Sequence, residues 1–221
     1  MSDFVAAYEP YNSILINELG LDWYEVQETY GKIGNTPGMY PDSAMFLMEI
    51  VKRDDVQNIL EIGSGISTLY LAKTAKVFNK NFISIEEDPK YQNMTELLCH
   101  HYGVDQQVLI FEDMDYSMLP KPDVLFIDSD TDSRTTLLET IEKTSTSKWH
   151  PKDIDFILLD DAEAPIFIIP VLKALARYGR FNHSMYNPVA RSDRHLFINY
   201  IDDDVHIPSW YWDWRPDKKY W

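Results

Sequence analysis

From residue 58 onward, short apolar runs alternate with longer stretches whose apolar positions recur at helical spacing. The short runs cover 58–62, 81–85, 107–111, 123–127 and 154–159 and are rich in β-branched residues. Runs apolar throughout, rather than at every second position, are those of strands covered on both faces, as in parallel sheets. Helical patterns fall over 68–77, 89–103, 135–144 and 165–178. The second of these opens with Asp88-Pro89, an N-cap followed by proline at the first helical position, and the last stops at Gly179. Two further strand-like runs, 180–186 and 195–200, follow with no helical pattern between them. Five β/α steps and a closing pair predict an α/β fold: a single doubly wound, mostly parallel seven-stranded sheet with helices on both faces and a C-terminal antiparallel hairpin.

The flanks read differently. Residues 1–40 form an N-terminal preamble or lid, with a helix expected over 4–19 and a turn-rich stretch over 31–41. Asp42 or Ser43 is expected to cap a helix carrying Phe46, Leu47, Ile50 and Val51. The α/β domain then occupies 41–202, and 203–221 is an aromatic tail. That tail holds Trp210, Trp212, Trp214 and Trp221, four of the chain's six tryptophans. Docking of the tail onto the domain, or onto a second copy in a homodimer, is the first reading; stacking of Trp210-Tyr211-Trp212 on a sugar or ring is the other.

Composition narrows the class. At 221 residues, 45% hydrophobic and 25% charged, the chain suits one globular domain with a sizeable core. The start lacks a basic, then apolar, leader, and the greasiest stretch, 166–172, is short and interrupted by Pro170. Cys99 is the only cysteine, so no intrachain disulfide forms, and a cytoplasmic location is expected. The net charge of −16 argues against long nucleic acids and anionic membranes as partners and leaves a small molecule as the expected one.

The strongest local signal is Glu61-Ile62-Gly63-Ser64-Gly65-Ile66-Ser67-Thr68, a strand running into a glycine turn that opens a helix. Glycines permit the sharp turn and close approach of a ligand, and the helix start offers unpaired N–H groups. Twenty-three residues past Gly63, the next strand ends at Glu86, a carboxylate placed to accept hydrogen bonds from a ribose diol. A dinucleotide fingerprint wants a further glycine where Thr68 stands, and the acid at 61 suits an α-amino group instead.

With these residues the chain resembles the class I S-adenosylmethionine-dependent methyltransferases over about residues 40–200. The resemblance implies that Glu61, Gly63, Ser64 and Gly65 hold the methionine end of the donor, with Ser67 where the family usually has a third glycine. It implies Glu86, with Glu87 beside it, for the ribose hydroxyls, and Asp113 and Met114 for the adenine. The loop after the fourth strand, Asp128-Ser129-Asp130-Thr131, lacks the Pro-Pro-aromatic signature of enzymes that methylate bases or glutamine. Cys99 follows leucine rather than the proline of cytosine-5 enzymes.

The strand ends Ile127-Asp128 and Leu159-Asp160-Asp161 are similar to the catechol O-methyltransferase-like branch, in which Asp and Asp-Asn at these places bind a metal. Here Asp161 replaces the amide, and Thr131 stands where that branch has its catalytic lysine. Two readings stay open: Asp128, Asp160 and Asp161 hold magnesium or another divalent cation, or Asp128 faces the cofactor while the other two cap the next helix. The expected reaction is transfer of the sulfonium methyl to a small-molecule or sugar hydroxyl, with Asp128 and His195 as candidate catalytic residues. An N-methyltransferase acting on a small amine and a non-catalytic cofactor-binding accessory protein are the alternatives.

Overall fold

The computed structural model describes residues 3–34, 38–113, 119–129, 149–161, 165–177, 181–186 and 195–200. Three helices come first, α1 (Asp3–Leu19), α2 (Trp23–Ile33) and α3 (Pro41–Val51). Alternation follows as β1 (Asn58–Ile62), α4 (Ile66–Phe78), β2 (Asn81–Glu86), α5 (Pro89–His101), β3 (Val108–Ile110), β4 (Val124–Ile127) and β5 (Phe156–Leu159). The described chain closes with α6 (Pro165–Leu175), β6 (Phe181–Tyr186) and β7 (His195–Tyr200). The strand order is β3-β2-β1-β4-β5-β7-β6. Five strands, β1 to β5, are mutually parallel, while β7 pairs antiparallel with β5 and β6 antiparallel with β7.

Strand alternation sorts the core into two layers. Ile59, Val124, Phe126, Phe156 and Leu158 face the side carrying α1 to α5, where Tyr8, Leu15, Val26, Leu47, Leu69 and Leu98 join them. Leu60, Ile62, Leu125, Ile127, Ile157 and Leu159 face the other side with Val171 and Leu175 of α6. Helices α1 and α2 thus belong to the same hydrophobic layer as α3 and α4.

Several expectations need correction. Residues 23–33 form a helix, capped by Asp22, whose side chain accepts from the backbone N–H groups of Tyr24 and Glu25, and ended by Gly34 at φ 107°. Gly31 therefore lies inside α2, and only Val26, Gln27 and Tyr30 of this largely polar helix are buried, too thin a stripe to reveal its period. Helix α3 starts at Pro41 after Tyr40, without a side-chain cap; Asp42 and Ser43 are buried inside its first turn. Helix α4 begins at Ile66, two residues earlier than its apolar period suggests. The helix expected over 135–144, Met114, Thr131 and the tail 203–221 lie outside the described residues.

Candidate functional site

Strand order reverses at β1, which lies between β2 and β4. In such sheets ligands bind beyond the carboxyl ends of the strands at the reversal. Four chain segments meet there: the turn after β1, the end of β2, and the residues following β4 and β5.

The turn is closed by its own packing. Gly63 sits at φ 90°, and a Cβ on it would lie 1.8 Å from the carbonyl oxygen of Asp128. Its N–H donates to Ile85 O at 2.8 Å, while Asp128 N–H donates to Ile62 O at 2.8 Å. The turn is therefore pinned between β2 and the residue after β4. Gly65 is extended, and its missing side chain leaves room for the Tyr30 hydroxyl of α2, which would be 3.2 Å from a Cβ. Helix α2 thus covers the turn from above.

Glu86 ends β2 with its carboxylate folded onto this turn and is 6% exposed. Its Oε2 accepts from Ser64 N at 2.7 Å and Ser64 Oγ at 2.8 Å. Its Oε1 accepts from Glu87 N at 2.9 Å and Asp88 N at 3.1 Å. Behind Ser64, the Thr95 hydroxyl of α5 lies 3.2 Å from Ser64 Oγ.

Glu61 is placed otherwise than the sequence suggested. Alternation along β1 turns it toward the helix-covered layer, and it is fully buried. Ser67 Oγ and Thr68 Oγ1 donate to it at 2.6 Å each, and Ser84 Oγ at 2.7 Å. Thr68 Oγ1 in turn accepts from Gly65 N at 2.9 Å. Glu61 and Ser67 therefore brace the turn from beneath. Burial raises its pKa to about 7, with the neighbouring Glu86 charge acting in the same direction and the three hydroxyls opposing both.

This carboxyl couples folding to pH. An unfolded chain releases the proton near 4.5, whereas the folded protein keeps it until about 7. The folded state then binds more protons across that window, so this group's contribution to stability is complete below 4.5 and is lost as pH rises to about 7. Glu61→Gln is expected to remove that slope, roughly 3 kcal/mol or slightly more across the window. Denaturant unfolding of both proteins from pH 4.5 to 8 checks it; parallel stability profiles would refute the assignment.

Asp128 and Asp160 each follow a strand and are half-buried, with Asp160 N–H donating to Ile127 O at 3.0 Å. At Asp161 the backbone turns left-handed, φ 54°, so the chain leaves the strand direction there. Among the described residues no three His, Cys, Asp or Glu side chains form a group that could hold a metal ion. Asp128 and Asp160 follow neighbouring strands, and their convergence with Asp161 on a cation belongs with the proposed function.

The other expected residues fall into place by topology. Asp113 ends a short 3-10 turn, Phe111–Asp113, directly after β3. Leu196 pairs with Leu159, so His195 begins β7 on the carboxyl edge, level with the residue after β5. Glu87 is exposed at the rim. Cys99 is fully buried, and burial chiefly, with Glu61 next, pushes its thiol up to about 12, which removes it as a nucleophile. Sequence reasoning passed over Tyr30, Thr68, Ser84 and Thr95. Hydroxyls at buried, otherwise apolar positions were the only available signal.

No protein-family model matches the chain, and no curated protein sequence matches it. Solved structures do. The O-methyltransferase from Bacillus cereus in complex with SAH superposes with a TM-score of 0.59 at 16% identity, covering 88% of this chain and 99% of that one. A putative O-methyltransferase from Klebsiella pneumoniae gives 0.59 at 19% identity, with 88% and 98% covered. The O-methyltransferase TomG from Streptomyces achromogenes, involved in tomaymycin synthesis and solved in complex with SAM, gives 0.58 at 15% identity, with 90% and 100% covered. The chain has the fold of the class I methyltransferases.

Proposed function

We propose that this protein is an S-adenosylmethionine-dependent methyltransferase whose acceptor is a hydroxyl of a small molecule or sugar. The observation that carries the reading is the pairing of the pinned Gly63–Gly65 turn with the Glu86 carboxylate at the point where strand order reverses. A donor with an amino-acid end and a ribose needs these two features at one edge. Gly63 and Gly65 let the turn pack tightly against Asp128 and Tyr30, the start of α4 presents backbone N–H groups to a carboxylate, and Glu86 is assigned to the ribose. Asp113, in the turn after β3, is assigned to the adenine. The fold's relatives solved with SAH or SAM support the same donor.

When bound, S-adenosylmethionine supplies an electrophilic methyl on a sulfonium. The residues at the edge then have two tasks. They hold the acceptor oxygen in line with the carbon–sulfur bond, and they take its proton as the new carbon–oxygen bond forms. Asp128 and His195 are assigned to the acceptor side, since the residues after β4 and β5 and the first residue of β7 share the carboxyl edge. His195 is the proposed proton acceptor. Among the described residues no group of three metal-ligating side chains forms, and the proton is routed to His195 rather than through a metal.

A second reading has one observation in its favour. The acids at 128, 160 and 161 put negative charge at the ends of β4 and β5, which attracts a cationic amine and would make the reaction an N-methylation. Among the described residues no helix is long and apolar enough to cross a membrane. The 1–40 lid, the role of the 203–221 tail, a homodimeric state and cytoplasmic location belong to the same proposal.

Turnover with labelled S-adenosylmethionine and panels of hydroxyl and amine acceptors distinguishes these readings. Activity is expected to persist in excess chelator and to drop in His195→Gln, which keeps the size of the side chain but cannot accept the acceptor's proton as a base. Loss of turnover on chelation, restored by magnesium, would overturn the metal-free assignment. Methyl transfer to amines alone would favour the second reading.

A further inference from the structure

The Glu86 carboxylate is fully occupied before any ligand arrives. Two oxygens offer about four lone-pair positions. Four donors already take them: Ser64 N, Ser64 Oγ, Glu87 N and Asp88 N. Three of these are backbone N–H groups. Ser64 N is fixed by the pinned turn, and Glu87 N and Asp88 N lead into α5, which Asp88 caps. Only the Ser64 hydroxyl turns on a single bond. A ribose hydroxyl seeking this carboxylate must therefore displace it.

The displaced group has somewhere to go. Thr95 Oγ1, on α5 and 1% exposed, lies 3.2 Å from Ser64 Oγ, and either atom can be the donor. The Ser64 hydroxyl can turn from Glu86 onto Thr95 about its Cα–Cβ and Cβ–Oγ bonds, with no movement of the backbone, while Thr95 turns its own proton to the carbonyl one helical turn back. Without Thr95, the same half-buried hydroxyl would lose its partner on α5, at the cost of one hydrogen bond.

We propose that Ser64 is a built-in occupant of the ribose site, exchanged onto Thr95 when the ribose of the donor binds Glu86. Ser64 and Thr95 are then positioning residues that tune donor affinity, and the exchange rests on the donor assignment made above. Binding becomes a swap of one hydrogen bond for another at Oε2 rather than the gain of a new one. The swap is neutral only while Thr95 stands ready.

The test is calorimetric binding of S-adenosylhomocysteine and of its 2′,3′-dideoxyribose analogue to wild type, Thr95→Val, Ser64→Ala and the double variant. Thr95→Val is expected to weaken S-adenosylhomocysteine binding by about threefold to tenfold, the worth of one hydrogen bond. Ser64→Ala is expected to bind at least as tightly as wild type, and the double variant to match Ser64→Ala. The dideoxy analogue, having no hydroxyl to exchange, is expected to be indifferent to Thr95→Val. Thr95→Ser, which keeps the hydroxyl, is expected to restore wild-type affinity. Equal weakening by Thr95→Val with and without Ser64, or equal weakening for both ligands, would mean that Thr95 only supports the fold and would overturn the exchange. Failure of wild type to bind S-adenosylhomocysteine at all would overturn the donor assignment itself, and the exchange with it.

Discussion

Glu86→Ala is expected to weaken binding of S-adenosylhomocysteine by about 1.5–3 kcal/mol, roughly tenfold to more than a hundredfold. The carboxylate is the one charged acceptor bonded to the glycine turn, and it is almost fully shielded from water. Hydrogen bonds to an ionised acceptor in such a setting are the stronger kind. Its removal also frees Ser64 N, Glu87 N and Asp88 N, so the melting temperature is expected to fall as well. Glu86→Gln separates the two effects. The amide keeps the shape, but its NH2 must face a backbone N–H on one side or the other. Affinity for the ribose-bearing ligand should fall with a smaller loss of stability. The measurement is calorimetry alongside thermal unfolding. Unchanged affinity in Glu86→Gln would remove Glu86 from the ribose site.

Much of this edge was legible before any coordinates. Apolar, β-branched runs located β1 to β5, most clearly β4 and β5, which are buried along their whole length, while the start of β2 and most of the edge strand β3 are only half-buried or exposed. Strand β3 and the starts of β4 and β5 came out shorter than their apolar runs, since ladder pairing ends before apolar character does. The glycine turn and Glu86 stood out because backbone geometry and ligand chemistry both restrict the residues allowed there.

Other features were hidden for physical reasons. Helix α2 buries too few apolar residues to show a period, yet it brings Tyr30 over Gly65. The direction of Glu61 depends on which sheet face α4 covers, and no local pattern encodes that. Its three hydroxyl partners come from two separate elements, α4 and β2, so the cluster exists only in the folded chain. The arrangement of the three acids at 128, 160 and 161 is hidden for a related reason. They stand at two neighbouring strand ends, but their convergence depends on how the backbone leaves β5, where Asp161 turns left-handed at φ 54°.

Gly63→Ala is expected to produce the largest loss of stability of any single methyl added to this protein. Two costs combine. The first is conformational: φ 90° lies in the region that side chains rarely adopt, at a cost on the order of 1–3 kcal/mol. The second is collision. The new Cβ would lie 1.8 Å from the Asp128 carbonyl oxygen, 2.4 Å from its carbonyl carbon and 2.9 Å from Ser129 Cα, all of them backbone. None of these atoms can rotate away as a side chain would. Relief would require parting β1 from β4, whose ladder runs from Ile59↔Val124 to Ile62↔Ile127, or dragging the turn off its hydrogen bond to Ile85. Gly103 supplies the control. It shares a positive φ, 67°, but a Cβ there meets nothing within 4 Å, so Gly103→Ala carries the conformational cost alone. Denaturant unfolding should therefore rank wild type above Gly103→Ala, and Gly103→Ala above Gly63→Ala by several kcal/mol more, with Gly63→Ala unable to fold if the total exceeds the stability of an ordinary domain. Equal destabilisation by the two substitutions would show that the sheet yields at the switch point, and the pinned turn could not then be what shapes the donor site.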